Sequence, residues 1–124
     1  MIKKIDMTGT TAAGGTVTLT SGAVFGKLLA VQWVDGDLVD GVDAVLSVAG
    51  SAHLQTLLTL TDANSDAWYY PRTPVHTNAG ADITYDGTRI VYDKFMLAGK
   101  LSLAIASGGS VKTGGAYVFI EDGA

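Results

Sequence analysis

Short runs in which apolar and polar residues take turns recur along the chain. Thr16-Val17-Thr18-Leu19-Thr20 sets Val17 and Leu19 against threonines, and Leu101, Leu103 and Ile105 alternate with Ser102, Ala104 and Ala106. A period of two is that of a strand with one face buried. The predicted strands are Ile2 to Thr8, Thr16 to Thr20, Lys27 to Val34, Ala44 to Val48, Leu54 to Leu60, Ala67 to Tyr70, Ile83 to Tyr92, Lys100 to Ala106 and Ala116 to Glu121. Within Ile83 to Tyr92, Tyr85-Asp86-Gly87-Thr88 reads as a tight hairpin turn, since Asp-Gly suits two central residues at positive φ. Eight or nine short antiparallel strands with turn signals between them predict an all-β chain, a single β-sandwich of jelly-roll or Greek-key type spanning residues 1–124.

One segment has two readings. Val42, Val45, Leu46, Ala49, His53, Leu54, Leu57 and Leu58 also fit a helical stripe, broken at Gly50-Ser51. The strand reading is preferred, because Gly50-Ser51 reads as a turn and Thr-Leu pairs recur after it.

Composition agrees with strands. The acidic residues are eleven Asp and one Glu, with sixteen Gly, fourteen Thr and twelve Val. Asp and Gly favour turns, while Thr and Val favour strands. Apolar residues make up 48% and charged residues 16% of the chain, which predicts an ordered domain. The net charge of -4, with eight scattered Lys and Arg, makes nucleic acid an unexpected partner. No apolar run approaches a membrane span, Leu28 to Val34 being the longest candidate, and Met1 to Asp6 is followed by no apolar signal region. Without cysteine there is no disulfide, zinc thiolate or thiol nucleophile, as suits a protein made in a reducing cytoplasm.

The candidate chemistry is thin. Asp35-Gly36-Asp37-Leu38-Val39-Asp40-Gly41-Val42-Asp43 places four carboxylates in nine residues, the ligand type Ca²⁺ prefers, but without EF-hand order. It reads as a strand connection. Ser107 to Gly115 resembles a phosphate loop only superficially: Val111 precedes Lys112 and a strand follows, so a long hairpin loop is expected. The loops Asp62 to Asp66 and Arg72 to Ala81 complete the set on which binding residues are expected. His53 and His76 lack metal-ligand spacing, no nucleophile elbow exists, and neither enzyme activity nor a cofactor is expected.

Ala67-Trp68-Tyr69-Tyr70-Pro71-Arg72-Thr73-Pro74 stands out. In a strand Trp68 and Tyr70 share one face and Tyr69 takes the other, while the prolines put the run at a strand end or sheet edge. Aromatic and Arg residues are the usual anchors of protein interfaces. Leu28-Leu29-Ala30-Val31-Gln32-Trp33-Val34 and Tyr117-Val118-Phe119-Ile120 are apolar on both faces, which predicts surface buried between copies. The expected interface set is Trp68, Tyr69, Tyr70, Arg72, Trp33, Tyr117 and Phe119.

Tyr85-Asp86-Gly87-Thr88, Val91-Tyr92-Asp93-Lys94, Leu97-Ala98-Gly99-Lys100-Leu101, Gly108-Gly109-Ser110-Val111-Lys112-Thr113-Gly114 and the closing Tyr117-Val118-Phe119-Ile120, preceded by Trp68-Tyr69-Tyr70-Pro71-Arg72, resemble small virion structural proteins of tailed bacteriophages. Head decoration, or cement, proteins are the nearest in pattern, over roughly residues 24–121. The resemblance implies a β-rich protein, commonly trimeric, that is made in the host cytoplasm, binds the major capsid protein on the outer capsid surface and reinforces the shell. It brings no active site. A tail, baseplate or head-tail connector subunit is the alternative within virions, and a carbohydrate or host-surface binding module is the alternative outside them.

Overall fold

The computed structural model describes residues 1–49 and 55–122. Among these there is no helix, and the strands are β1 (Ile2–Thr10), β2 (Val17–Val34), β3 (Asp43–Ala49), β4 (Gln55–Leu60), β5 (Ala67–Tyr69), β6 (Arg72–Pro74), β7 (Tyr92–Lys94), β8 (Met96–Ala106) and β9 (Thr113–Glu121). The helical alternative for Val42 to Leu58 therefore fails wherever the chain is described. The Gly50-Ser51 turn, His53 and Leu54 lie outside the described residues.

All pairing is antiparallel. A seven-stranded sheet runs β1-β9-β2-β8-β3-β4, with β5 also on β2, and β6 and β7 form a separate pair. The organising element is β2, which fuses two strands that the sequence separates. Its first part, Val17 to Lys27, pairs with β8, and its second, Lys27 to Val34, pairs with β9. The corner falls at Gly26, whose φ of 147° is rarely adopted by residues with a side chain. A Cβ there would meet the Glu121 carbonyl oxygen. Ser21 and Gly22 keep the first part continuous across a register shift: the Ser21 hydroxyl accepts the Leu101 N–H at 2.9 Å, satisfying a donor within the irregular stretch.

A second irregularity lies at Leu29. Leu28 faces Ile120 and Ala30 faces Phe119, so Leu29 is the extra residue of a bulge. The inward face accordingly passes from Leu28 to Val31 and Trp33, opposite Ile120, Val118 and Ala116, all of them buried. This corrects the two-sided reading of Leu28 to Val34. The run looks apolar on both faces because one added residue switches which parity points inward. These side chains join Leu46, Leu97, Leu101 and Leu103 in one core.

The registers give the molecule two ends. Thr10, Val17, Val34, Asp43, Ala106 and Thr113 lie toward the end where the loops gather, while Ile2, Gly26, Met96 and Glu121 mark the corner end. The connection from Ala106 to Thr113 is not a hairpin loop, because β8 and β9 each pair with β2 and not with one another.

Between β5 and β8 the chain leaves the sheet. No residue from Arg72 to Met96 is fully buried. Val75 donates its N–H to the Val91 carbonyl (2.8 Å), Ile83 to Val75 (2.9 Å) and Val91 to Ile83 (3.0 Å). This closed triangle makes a three-way junction, where the β6–β7 stem splits into two short hairpins bridged at His76–Asp82 and Thr84–Ile90. The Asp-Gly turn is present, yet only Gly87 has positive φ. Asp86 shapes it otherwise, its Oδ1 accepting the N–H groups of Thr88 (3.0 Å) and Arg89 (2.7 Å). Those bonds, the Arg89 one foremost, hold its carboxyl below the usual range.

Candidate functional site: an aromatic outer face

The outward face of β1, β9, β2 and β5 is built from two cross-strand rows. One runs Asp6, Tyr117, Gln32, Trp68, and the other Lys4, Phe119, Ala30. Alternation along β1 sends Ile5 and Met7 toward the core and leaves Lys4 and Asp6 exposed. The same alternation along β9 buries Val118 and turns Tyr117 and Phe119 outward, half-buried.

The aromatic rings associate. Trp68 and Phe119 have ring centroids 5.3 Å apart with planes at 30°, within the range of a favourable offset contact. The Lys4 ammonium sits 4.3 Å from the Tyr117 ring centroid, a cation–π distance. Trp68 remains 50% exposed. Asp6 accepts both the hydroxyl (2.6 Å) and the N–H (2.9 Å) of Thr8, and these two bonds, the hydroxyl first, lower its carboxyl below the ordinary range. An anionic Asp6 and a cationic Lys4 thus stand two residues apart on β1, along the same edge of the aromatic surface.

Of the seven residues expected at an interface, Trp68, Tyr117 and Phe119 come together here. Tyr70 is exposed just beyond β5, as the shared parity with Trp68 requires. Tyr69 turns the other way and packs against the core. Arg72 is half-buried, its guanidinium donating to the carbonyls of Leu29 (3.1 Å) and Pro71 (2.8 Å), so it ties the projecting segment to the bulge. Trp33 leaves the interface set. It is fully buried in the core, with its indole N–H donating to the Ala63 carbonyl at 3.0 Å. Lys4, Asp6 and Gln32 were missed, since only strand register reveals them as neighbours of the aromatics. The Lys4-Ile5-Asp6-Met7 alternation was the one signal available.

The acidic loop is tied to the Asp62 to Asp66 segment by hydrogen bonds. Asp66 Oδ1 accepts the Asp35 N–H (2.8 Å), Asn64 the Gly41 N–H (2.7 Å) and Asp43 the Asp62 N–H (3.0 Å). Asp35 itself has a buried oxygen without a hydrogen-bond partner. Burial, then the charges of Asp66 and Asp40, push its carboxyl above the usual range. Among the described residues no three carboxylates or histidines gather as a metal site, and His76 is engaged by Asp82 at 2.9 Å.

Flat π surfaces bordered by one cation and one carboxylate suit non-covalent recognition of a protein surface or a sugar ring. No family model matches the chain, and neither a curated protein nor a solved structure matches it.

Proposed function

We propose that this chain is a structural virion protein of tailed bacteriophages, a decoration or cement protein that seats its aromatic outer face on the major capsid protein and reinforces contacts between capsid subunits. The observation that carries this reading is the Trp68–Phe119–Tyr117 group on the outward face of a folded sheet, with Trp68 half-exposed and Lys4 and Asp6 along its β1 edge. The resemblance of residues 24–121 to small virion proteins names the setting. In this reading the two parts of β2 lead the sheet around one core as a jelly-roll-like sandwich. The protein is made in the host cytoplasm, assembles as a homotrimer on the outer capsid surface, and has a binding role without catalysis. Binding only to the assembled shell stabilises that shell by mass action.

The test is to add purified protein to particles that lack it. Saturable binding at hundreds of copies per particle, with a rise in the shell's thermal stability, supports decoration. A dozen or so copies, confined to one vertex or the tail, supports a connector or tail subunit instead.

The half-exposed Trp68 also favours a second reading, a carbohydrate or host-surface binding module, since sugars stack on such rings. Glycan-array binding that disappears in Trp68→Ala, with no binding to capsids, selects it.

A further inference from the structure

The segment from Arg72 to Phe95 leaves the sheet as an arm in which no residue is fully buried, yet its base is fixed at three points. Leu28 donates its N–H to the Phe95 carbonyl at 2.9 Å, the Arg72 guanidinium donates to the Leu29 carbonyl at 3.1 Å, and the Lys94 ammonium meets the Glu121 carboxylate at 3.3 Å. Beyond the base, the backbone bonds joining Val75, Ile83 and Val91 hold the far end of the β6–β7 ribbon. Ordering such an arm costs conformational entropy that little core burial offsets. What it contributes is therefore sought on its surface.

Register shows which side of the ribbon looks toward the aromatic face. Arg72 lies opposite Lys94 and Pro74 opposite Tyr92, so these four side chains share one side, while Thr73 and Asp93 take the other. Lys94 reaches Glu121, and Glu121 has the parity of Tyr117 and Phe119 on β9, because Val118 and Ile120 between them are buried. The Tyr92 side of the ribbon thus continues the outward face of the sheet. Arg72, Pro74 and Lys94 are half-buried there, but Tyr92 is 56% exposed. The ribbon leaves β2 beside Leu29 and Trp68 lies opposite Gln32, so about 10 Å of β2 separates the two levels.

Charges along this side are mostly engaged within the chain. Besides Lys94 with Glu121, His76 meets Asp82 at 2.9 Å and Arg89 meets Asp86 at 3.1 Å, while the Met1 ammonium donates to the Asp122 carbonyl at 3.1 Å. Lys27, opposite Glu121, makes no ion pair among the described residues. A partner covering this surface has few counter-charges to supply. A single sugar ring stacked on Trp68 covers that residue alone, whereas a protein surface of about 800 Å² is wide enough to take in Tyr92 as well. Tyrosine held on an ordered backbone is a frequent anchor of such contacts.

We infer, resting on the docking role proposed for the aromatic face, that Tyr92 is a second anchor for the same protein partner, which meets Trp68 and the arm together through one broad, largely uncharged surface.

Binding titrations on shells that lack the protein, paired with thermal melts, test this. Tyr92→Ala and Tyr92→Gln should each lower affinity at least tenfold, with melting temperatures within about 2 °C of the parent because the ring faces solvent. Thr73→Ala, on the other side of the ribbon, should bind as the parent does. Affinity of the parent should change less than about threefold between about 0.05 and 0.5 M salt. Trp68→Ala losing affinity while both Tyr92 variants keep it overturns the inference and leaves the docking role standing. A loss in Thr73→Ala equal to that in Tyr92→Ala overturns it too, as does a steep fall of affinity with salt. Full binding by Trp68→Ala removes the docking role itself, and the second anchor with it.

Discussion

Trp68 and Phe119 meet across an intervening strand: each lies beside β2, opposite Gln32 and Ala30 respectively, and their rings close to 5.3 Å between centroids. The short side chain of Ala30 leaves them room, and Ala30 is itself buried although it belongs to the outward row. An aromatic surface is thereby assembled from residues about fifty positions apart in the chain. It is fixed on regular strands, which hold a docking geometry more tightly than loops do.

Removing the Trp68 ring should therefore separate docking from folding. Trp68→Ala loses a ring pair worth about 0.5–1.5 kcal/mol from a half-exposed position, so the domain should remain folded with a slightly lower melting temperature. Binding to its partner surface should fall at least tenfold, the loss of about 1.4 kcal/mol or more that an interface anchor supplies. Thermal melts and a binding titration on the same preparation check both halves. A large loss of stability would mark Trp68 as a core residue.

The all-β character was legible from alternation in Val17 to Leu19 and Leu101 to Ile105, which occupy β2 and β8 as expected. The placement of Trp68 and Tyr70 on one parity and Tyr69 on the other was legible too. Trp33 was misplaced because a one-residue bulge at Leu29 leaves no compositional mark, yet reverses every side chain beyond it. The three-way junction at Val75, Ile83 and Val91 was hidden for a related reason. Its hydrogen bonds are backbone to backbone and close a ring that local pattern cannot register. Gln32 has no local reason to be noticed, since it gains its importance from Tyr117 and Trp68 in the strands on either side.

Trp33 offers the converse experiment to Trp68. Trp33→Phe keeps most of the buried area but leaves the Ala63 carbonyl without its indole donor, and should cost about 1–3 kcal/mol. Trp33→Ala should cost about 3–5 kcal/mol through the cavity it opens. In both variants, the fraction still folded should bind its partner with unchanged affinity. Chemical denaturation combined with binding normalised to folded protein tests this, and a loss of affinity in well-folded Trp33→Phe would return Trp33 to the interface.

Asp35 and Asp6 should act on stability in opposite senses as pH changes. The Asp35 carboxyl is raised by burial and by Asp66 and Asp40, so the folded state holds its proton more tightly than the unfolded state does. Its contribution is favourable at acid pH and is lost as pH rises from about 4 through the folded value. The Asp6 carboxyl is lowered by Thr8, so its contribution is present at neutral pH and is lost on acidification. Asp35→Asn should therefore gain thermal stability relative to the parent at pH 7, with the gain shrinking as pH falls toward 4. Asp6→Asn should be less stable at pH 7, with the deficit closing over the acid range. Melting temperatures of the three proteins across pH decide it, and an Asp35→Asn deficit greatest at neutral pH would contradict the burial argument.

The corner in β2 places the strongest backbone demand on a single residue. Gly26 adopts φ 147° between the register pairs Phe25–Ala98 and Lys27–Met96, just where β2 passes from β8 to β9. A methyl group there faces the Glu121 carbonyl oxygen, which is backbone and cannot rotate aside. Gly26→Ala must therefore bear the unfavourable φ and also push the end of β9 away from the corner. Strained backbone of this kind costs about 1–3 kcal/mol, and the displaced ladder adds to it, so a total loss of about 2–4 kcal/mol is expected. In a domain of this size each kcal/mol lowers the melting temperature by about 3–6 °C. Gly22→Ala is the matched control: a Cβ there meets nothing within 4 Å, and its backbone is outside the left-handed region. It should melt within a degree or two of the parent. Equal melting temperatures for Gly26→Ala and Gly22→Ala would show that the chain can pass from β8 to β9 without a glycine, and the account of β2 as one strand bent at Gly26 would fall.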